Sequence, residues 1–186
     1  LTYSEEAPAV LPLLDGSIRR AIDDSVSWWQ RWISRCSYDG PYQDAVRRSA
    51  LALKLLTYAP SGAIVAAPTT SLPEIIGDTL NWDYRYCWLR DASLTIRALL
   101  ECGYAEESES FMTWLLHATR MTQPELRVLY TVFGDIPPRE RELGNLNGYC
   151  GSRPVRIGNA AHEQFQLDIY GEVIGAAAEF AEHGNR

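Results

Sequence analysis

The chain has 186 residues, with 24 acidic side chains against 17 basic ones and a net charge of −7. That balance argues against binding a phosphate backbone, which needs a basic surface to release counterions. With 46% hydrophobic and 11% aromatic residues, disorder is excluded, and no apolar run approaches the ~20 residues of a membrane span. The length suits one domain or a piece of a larger one.

Residues 1–14 open without the basic and apolar regions of a secretion signal, so a cytoplasmic location is expected. Pro8 and Pro12 forbid a helix interior there, and the segment reads as a linker. Asp15 is a candidate N-cap, after which Ile18, Ile22, Val26, Trp29 and Ile33 recur at helical spacing until Gly40-Pro41. Trp28, Trp29 and Trp32 on this helix are read as packing residues. A second helix follows, with Ala45, Ser49, Ala52, Leu55 and Leu56 on one side, closed by Pro60-Ser61-Gly62. Ala63 to Ala67 is a short strand or extended loop, and Thr69 to Asn81 is polar and turn-rich.

The helical pattern returns from Asp91 to Gly103 through Leu94, Ala98 and Leu99. It resumes from Ala105 to about Met121 through Phe111, Leu115 and Ala118. Leu129 to Phe133 is strand-like, and Gly134 to Gly158 is a long irregular excursion. A last helix runs from about Leu167 to Glu182, carrying Ile169, Val173, Ala176, Ala177 and Phe180, with Gly184 as its C′ residue. Helices in pairs, with long polar and aromatic connections and no βαβ alternation, predict an all-α array. Its loops are the candidates for function.

The densest such loop is Asn81-Trp82-Asp83-Tyr84-Arg85-Tyr86-Cys87-Trp88-Leu89-Arg90-Asp91, which holds four aromatics, two arginines and two aspartates. Carbohydrate sites want this mixture: ring faces stack on pyranose C–H faces, while Asp and Arg bind hydroxyls through charge-assisted hydrogen bonds. An amphipathic loop-to-helix junction, with Asp91 as a cap and Arg90 paired to a neighbouring acid, accounts for the same residues. A second cluster runs from Gly148 to Asn159, where Arg153 and Arg156 flank Pro154 and Val155. It is either a clamp for an oxygen-rich ligand or a connector whose arginines pair with Glu140, Glu142 or Asp168. In a third, Ala66 to Glu74, two prolines and three hydroxyls stiffen a loop.

No nucleotide-phosphate loop, nucleophile elbow or HExxH helix occurs. Cys36, Cys87, Cys102 and Cys150 are widely spaced and make no metal-like cluster with His117, His162 and His183, so reduced thiols are expected and no metal or other cofactor is implied.

Three segments, Asn81 to Ser93, Ser49 to Glu74 and Gly148 to Val173, resemble bacterial family 15 glycoside hydrolases, a family of glucoamylase-type α-glucosidases and trehalases. The resemblance implies a partial (α/α)6 toroid of inner and outer helices, with 1–14 as the linker or tail of an N-terminal β-sandwich and 15–186 as the first part of the catalytic domain. It places Trp88, Arg90 and Asp91 in the subsite for the non-reducing glucose, where Arg90 and Asp91 grip the far-end hydroxyls. Trp82, Asp83 and Tyr86 line the same segment, and Arg153 and Arg156 stand at the pocket rim. The implied reaction is inverting exo-hydrolysis of an α-glucan or maltooligosaccharide to release glucose, with trehalose as the alternative substrate and a non-catalytic sugar-binding fragment as a further one. An inverting enzyme needs an acid and a base carboxyl ~6.5–9.5 Å apart. The resemblance puts both beyond residue 186, so no catalytic residue is expected here and the 186 residues alone are expected to be inactive. Glu172 would serve packing or support of the site.

Overall fold

Helix α1 (Leu14–Ile33) is the first element of a computed structural model that describes residues 14–184. The chain divides into two compact units, Leu1–Cys36 and Ser37–Arg186. In the first unit, α1 begins one residue before Asp15, which therefore lies in the first turn instead of capping it. The helix also stops well short of Gly40-Pro41. Its tryptophans form an edge-to-face series, with Trp28–Trp29 centroids 4.9 Å apart and Trp29–Trp32 centroids 6.2 Å apart.

The second unit carries four helices among the described residues: α2 (Gln43–Leu55), α3 (Leu89–Glu101), α4 (Ala105–Arg120) and α5 (Asp168–Gly184). The mostly helical fold, with two small two-stranded sheets, matches the expected partial toroid. α3 packs against α5, α4 and α2, and α4 also meets α5. The reason lies in spacing. Leu89, Ala92, Ser93, Ile96, Leu99 and Leu100 of α3 are all buried and recur every three or four residues. Phe111, Met112, Trp114, Leu115 and Ala118 do the same on α4. Ile169 and Ala176 supply the buried positions of α5. Each large apolar side chain removed from water in this way contributes about 1.5–3 kcal/mol.

The α3–α4 joint is a Schellman turn. The Gly103 N–H donates to Leu100 O at 2.9 Å and the Tyr104 N–H to Leu99 O at 2.9 Å. Gly103 has φ +89°, and a Cβ there would stand 2.6 Å from Ser37 Oγ, so glycine is required twice over. α2 is tied to α4 by the only lysine of the sequence: Lys54 Nζ lies 3.0 Å from Glu107 Oε1, whose side chain is 3% exposed.

The strand expectations were partly met. α2 ends at Leu55, before the predicted Pro60, because Thr57 pairs with Ile64 in an antiparallel bridge. Ala63 to Ala67 is extended, with the Ala66 N–H donating to Tyr86 O and the Ala67 N–H to Tyr84 O. β1 (Cys87–Trp88) was not predicted; it pairs antiparallel with β2 (Leu129–Tyr130), the first two residues of the expected strand. Inside the irregular excursion, β3 (Arg141–Glu142) pairs with β4 (Arg156–Ile157). No described helix is long and apolar enough to cross a membrane.

Candidate functional site

The switch from β1 to α3 sets the position of the first cluster. Trp88 is extended (φ −76°, ψ 125°) and precedes Leu89 at the start of α3; its side chain makes no capping hydrogen bond. Arg90 and Asp91 therefore fall in the first helical turn, where the helix N-terminus favours the Asp91 charge. Burial of Leu89, Ala92 and Ser93 turns Arg90 and Asp91 the other way, and their side chains are 38% and 49% exposed.

A second helix start meets them. Arg90 Nη1 donates to Asp168 Oδ2 at 2.9 Å, at the head of α5, and to Gln166 Oε1 at 3.1 Å just before it. Arg90 Nε lies 3.4 Å from Asp91 Oδ2. The hydrogen bond from Arg90, more than any other influence, holds the Asp168 carboxyl below its ordinary value; the same bond raises the Arg90 guanidinium further. Arg90, Asp91, Gln166 and Asp168 thus form one solvent-facing polar cluster, able to donate to and accept from vicinal hydroxyls.

Beneath it the aromatics are packed. Trp88 and Tyr86 are buried with Val128 and Leu129 in one hydrophobic cluster, and the Tyr84 ring lies 5.9 Å from that of Trp88. Tyr84 itself is 36% exposed. Burial, and then the nearby Glu74 charge, raise its phenol.

Asp83 is wholly buried. Its carboxylate takes a forked pair of hydrogen bonds from Arg85, Nε to Oδ1 at 2.8 Å and Nη2 to Oδ2 at 2.8 Å. The Arg85 and Gly158 backbone N–H groups donate to it as well, at 3.2 and 3.1 Å. Burial pushes this carboxyl up, but Arg85 and the two backbone donors together outweigh burial and leave it below its ordinary value. The Tyr86 hydroxyl accepts from the same Gly158 N–H at 3.2 Å, and burial followed by the Asp83 charge raises that phenol.

Arg156 is also enclosed, at 12% side-chain exposure. It stacks 4.5 Å over the half-buried Trp82 ring. Its Nη1 donates to Thr79 O at 3.0 Å and Asn81 O at 3.1 Å, and Nε and Nη2 stand 3.3 and 3.8 Å from Glu140 and Glu142. Arg153, by contrast, is exposed and donates to Asn147 Oδ1. The eight candidates therefore fall into two groups. Arg90, Asp91 and Arg153 face solvent, whereas Asp83, Tyr86, Trp88 and Arg156 are enclosed by the chain, with Trp82 between them.

Sequence reasoning did not single out Gln166, which has no motif and reaches Arg90 only through the fold. Nor did it single out Asn81 and Asn159, whose side-chain amides cross-link loops: Asn81 Nδ2 donates to Pro154 O at 3.3 Å, and Asn159 Nδ2 to Asp83 O at 3.1 Å. A fully buried asparagine beside a tryptophan-aspartate pair is the one signal that was available. Glu172 pairs with Arg97 across α5 and α3, Oε2 to Nη1 at 3.5 Å. No group of three His, Cys, Asp or Glu among the described residues is placed to hold a metal.

Two helix starts, those of α3 and α5, thus bring Arg90, Asp91 and Asp168 together next to packed aromatics. The family model for glycosyl hydrolases family 15 matches residues 40–186. A trehalase of Thermoplasma acidophilum is 45% identical over 155 residues, covering 83% of this chain and 26% of that protein. Trehalase 1 of Sulfolobus acidocaldarius is 40% identical over 169 residues (90% and 29%), and a trehalase of Mycolicibacterium smegmatis is 43% identical over 150 residues (78% and 22%). No solved structure matches. The chain belongs to glycosyl hydrolases family 15. It spans about a quarter of the length of these curated relatives.

Proposed function

We propose that the whole protein is a trehalase, hydrolysing the bond between the two glucoses of trehalose. One observation carries the reading: relatives named trehalase, from organisms as different as Thermoplasma, Sulfolobus and Mycolicibacterium, are 40–45% identical over most of this chain. The glucoamylase-type reading that led the sequence analysis gives way to its trehalase alternative, because nothing in the structure or among these relatives favours an α-glucan.

The site's chemistry fits a small neutral sugar. Arg90 and Asp91 offer donors and acceptors on one helical turn, and Gln166 and Asp168 hold the guanidinium at a fixed angle. A planar fork binds two hydroxyls at once, which a lysine could not do. Tyr84 supplies the apolar wall, with the buried Trp88 packed against it. Arg153 is proposed as a rim contact; Trp82, Asp83, Tyr86 and Arg156 serve by holding that wall and rim in place. The general acid and base are assigned to the part of the relatives' length that this chain does not span. The 186 residues alone are then expected to bind sugar weakly and to hydrolyse nothing.

Glucose release by the full-length protein is the test. Trehalose should be cleaved, with maltose and maltotriose left essentially intact. Equal rates on maltotriose would overturn the trehalase reading in favour of glucoamylase. An Arg90→Lys variant should lose about tenfold or more in kcat/KM, since a missing hydrogen bond to a substrate hydroxyl is worth at least that much.

A further inference from the structure

Asp83 lies eight residues before Asp91 in the same segment, yet its carboxylate is turned away from solvent and given entirely to the chain. Its partners come from two sides. Arg85 is local, while Gly158 and Asn159 belong to a loop some 75 positions later in the sequence. The same two stretches are joined again nearby. Asn81 Nδ2 reaches Pro154 O, Arg156 Nη1 reaches the Thr79 and Asn81 carbonyls, and the Gly77 N–H donates to Ser152 Oγ at 2.8 Å. Thr70 and Ser71 complete the tie from the hydroxyl-rich loop. Thr70 Oγ1 donates to Arg156 O at 2.8 Å, and Ser71 Oγ accepts from the Arg156 N–H at 2.7 Å.

These loops are cross-tied by side-chain hydrogen bonds. Polar ties fix their placement, and Asp83 is the one charged group at the centre that is fully removed from water. A buried carboxylate with every partner in place is directional: two of its hydrogen bonds hold the Arg85 guanidinium and two hold the backbone N–H groups of Arg85 and Gly158.

We propose that Asp83 is a positioning residue: through the Gly158 N–H and the Asn159 amide it locks the 152–159 loop, which carries Arg153, onto the 79–86 segment that leads into Trp88, Arg90 and Asp91. It touches no sugar. It fixes the separation between the rim arginine and the helix-start cluster, so that one sugar meets both. The inference rests on the trehalase reading only in its choice of substrate.

The consequence for kinetics is specific. Groups that hold the sugar alike in the ground and transition states set KM, whereas a merely destabilised protein has fewer folded molecules and loses apparent kcat at unchanged KM. In the full-length protein, Asp83→Asn keeps an acceptor but removes the charge that the fork and the Gly158 N–H address. Assayed well below its own Tm, it should raise KM for trehalose about tenfold while kcat stays within about threefold. Asn159→Ala removes the other half of the tie and should raise KM about threefold. An unchanged KM in both variants, whether or not Tm falls, overturns the proposal, as does a loss confined to kcat. If Asp83→Asn does not fold, the KM of Asn159→Ala decides alone. A wild-type protein that leaves trehalose intact defeats the trehalase reading separately, and the same split is then read on the α-glucoside it does cleave.

Discussion

The helical part of the second unit and its loop layer are held by different forces. Ile96, Leu99, Phe111, Leu115 and Ile169 are almost wholly buried and make no polar demands. Stability there scales with area. In the loops, Ser71, Asn81, Asp83, Ser152 and Asn159 are just as enclosed but polar, and each is held by bonds to backbone atoms far away in sequence. Area tolerates small shifts, because a leucine can repack. A fork of hydrogen bonds does not, because direction is what it supplies. The contrast bears on the proposed function: a sugar is distinguished by the angles of its hydroxyls, and the groups proposed to recognise it sit on the layer and at helix starts.

The largest expected effects test the helical side. Phe111→Ala leaves a cavity in α4 and should cost about 3–5 kcal/mol in urea unfolding. Lys54→Met removes the ammonium 3.0 Å from the buried Glu107 carboxylate, and losing one partner of such a pair costs about the same. Losses below about 1 kcal/mol for both would mean that the helices are not the stable part.

Asp83 gives the matching test of the layer. Asp83→Asn should cost less, about 1–3 kcal/mol, as for a disrupted buried hydrogen-bond group. It should also change the pH dependence. The folded carboxyl titrates below the ordinary carboxylate value of 3.8. Its contribution is therefore complete above about pH 4 and disappears as the pH falls through the lower folded value. Wild-type stability should drop toward that of Asp83→Asn in this acid window only. A gap between the two that does not narrow as the pH falls below about 4 would assign the effect to packing instead of charge.

At the joint between α3 and α4 the backbone is the sensitive element. Gly103→Ala must hold an L-residue at φ +89° and push on Ser37 Oγ, a flexible side chain, so a cost of about 1–2 kcal/mol is expected. A neutral result would show that the turn relaxes.

The same division governed what could be read in the sequence. Helices α3 and α4 were legible because Leu99, Phe111, Leu115 and Ala118 fall at helical spacing and Gly103 marks the stop. The start of α3 was placed two residues late, since Leu89 and Arg90 were read as the end of the aromatic loop and Asp91 as a cap. β1 was hidden for a different reason: two residues have no periodicity, and Cys87–Trp88 becomes a strand only because Leu129–Tyr130 arrives beside it. The clusters around Asp83 and Arg156 were visible as composition. Whether their charges turned toward a ligand or toward the chain was not, because that depends on carbonyls such as Thr79 O and on N–H groups such as that of Gly158, which no side-chain pattern encodes. Arg156 pairs with Glu140 and Glu142, two of the three acids the sequence offered to its loop; the third, Asp168, pairs with Arg90 instead.

The smallest expected effect costs no stability and asks whether the layer opens independently of the helices. All four cysteines are free thiols. Cys87 is fully buried in β1, where burial pushes its thiol up to about 12, so almost no thiolate exists at neutral pH. Cys150 lies exposed on the loop before Arg153. In a variant keeping only these two, a thiol reagent at pH 8 should modify Cys150 within minutes. Cys87 should react only as the protein opens, with a free energy of protection readable from its rate. If that protection equals the global unfolding free energy, the polar layer and the helices form one cooperative unit despite their different chemistry. If Cys87 reacts much faster, while Phe111→Ala leaves its rate unchanged, the layer opens alone, and the cross-ties through Asp83 set an opening equilibrium of their own.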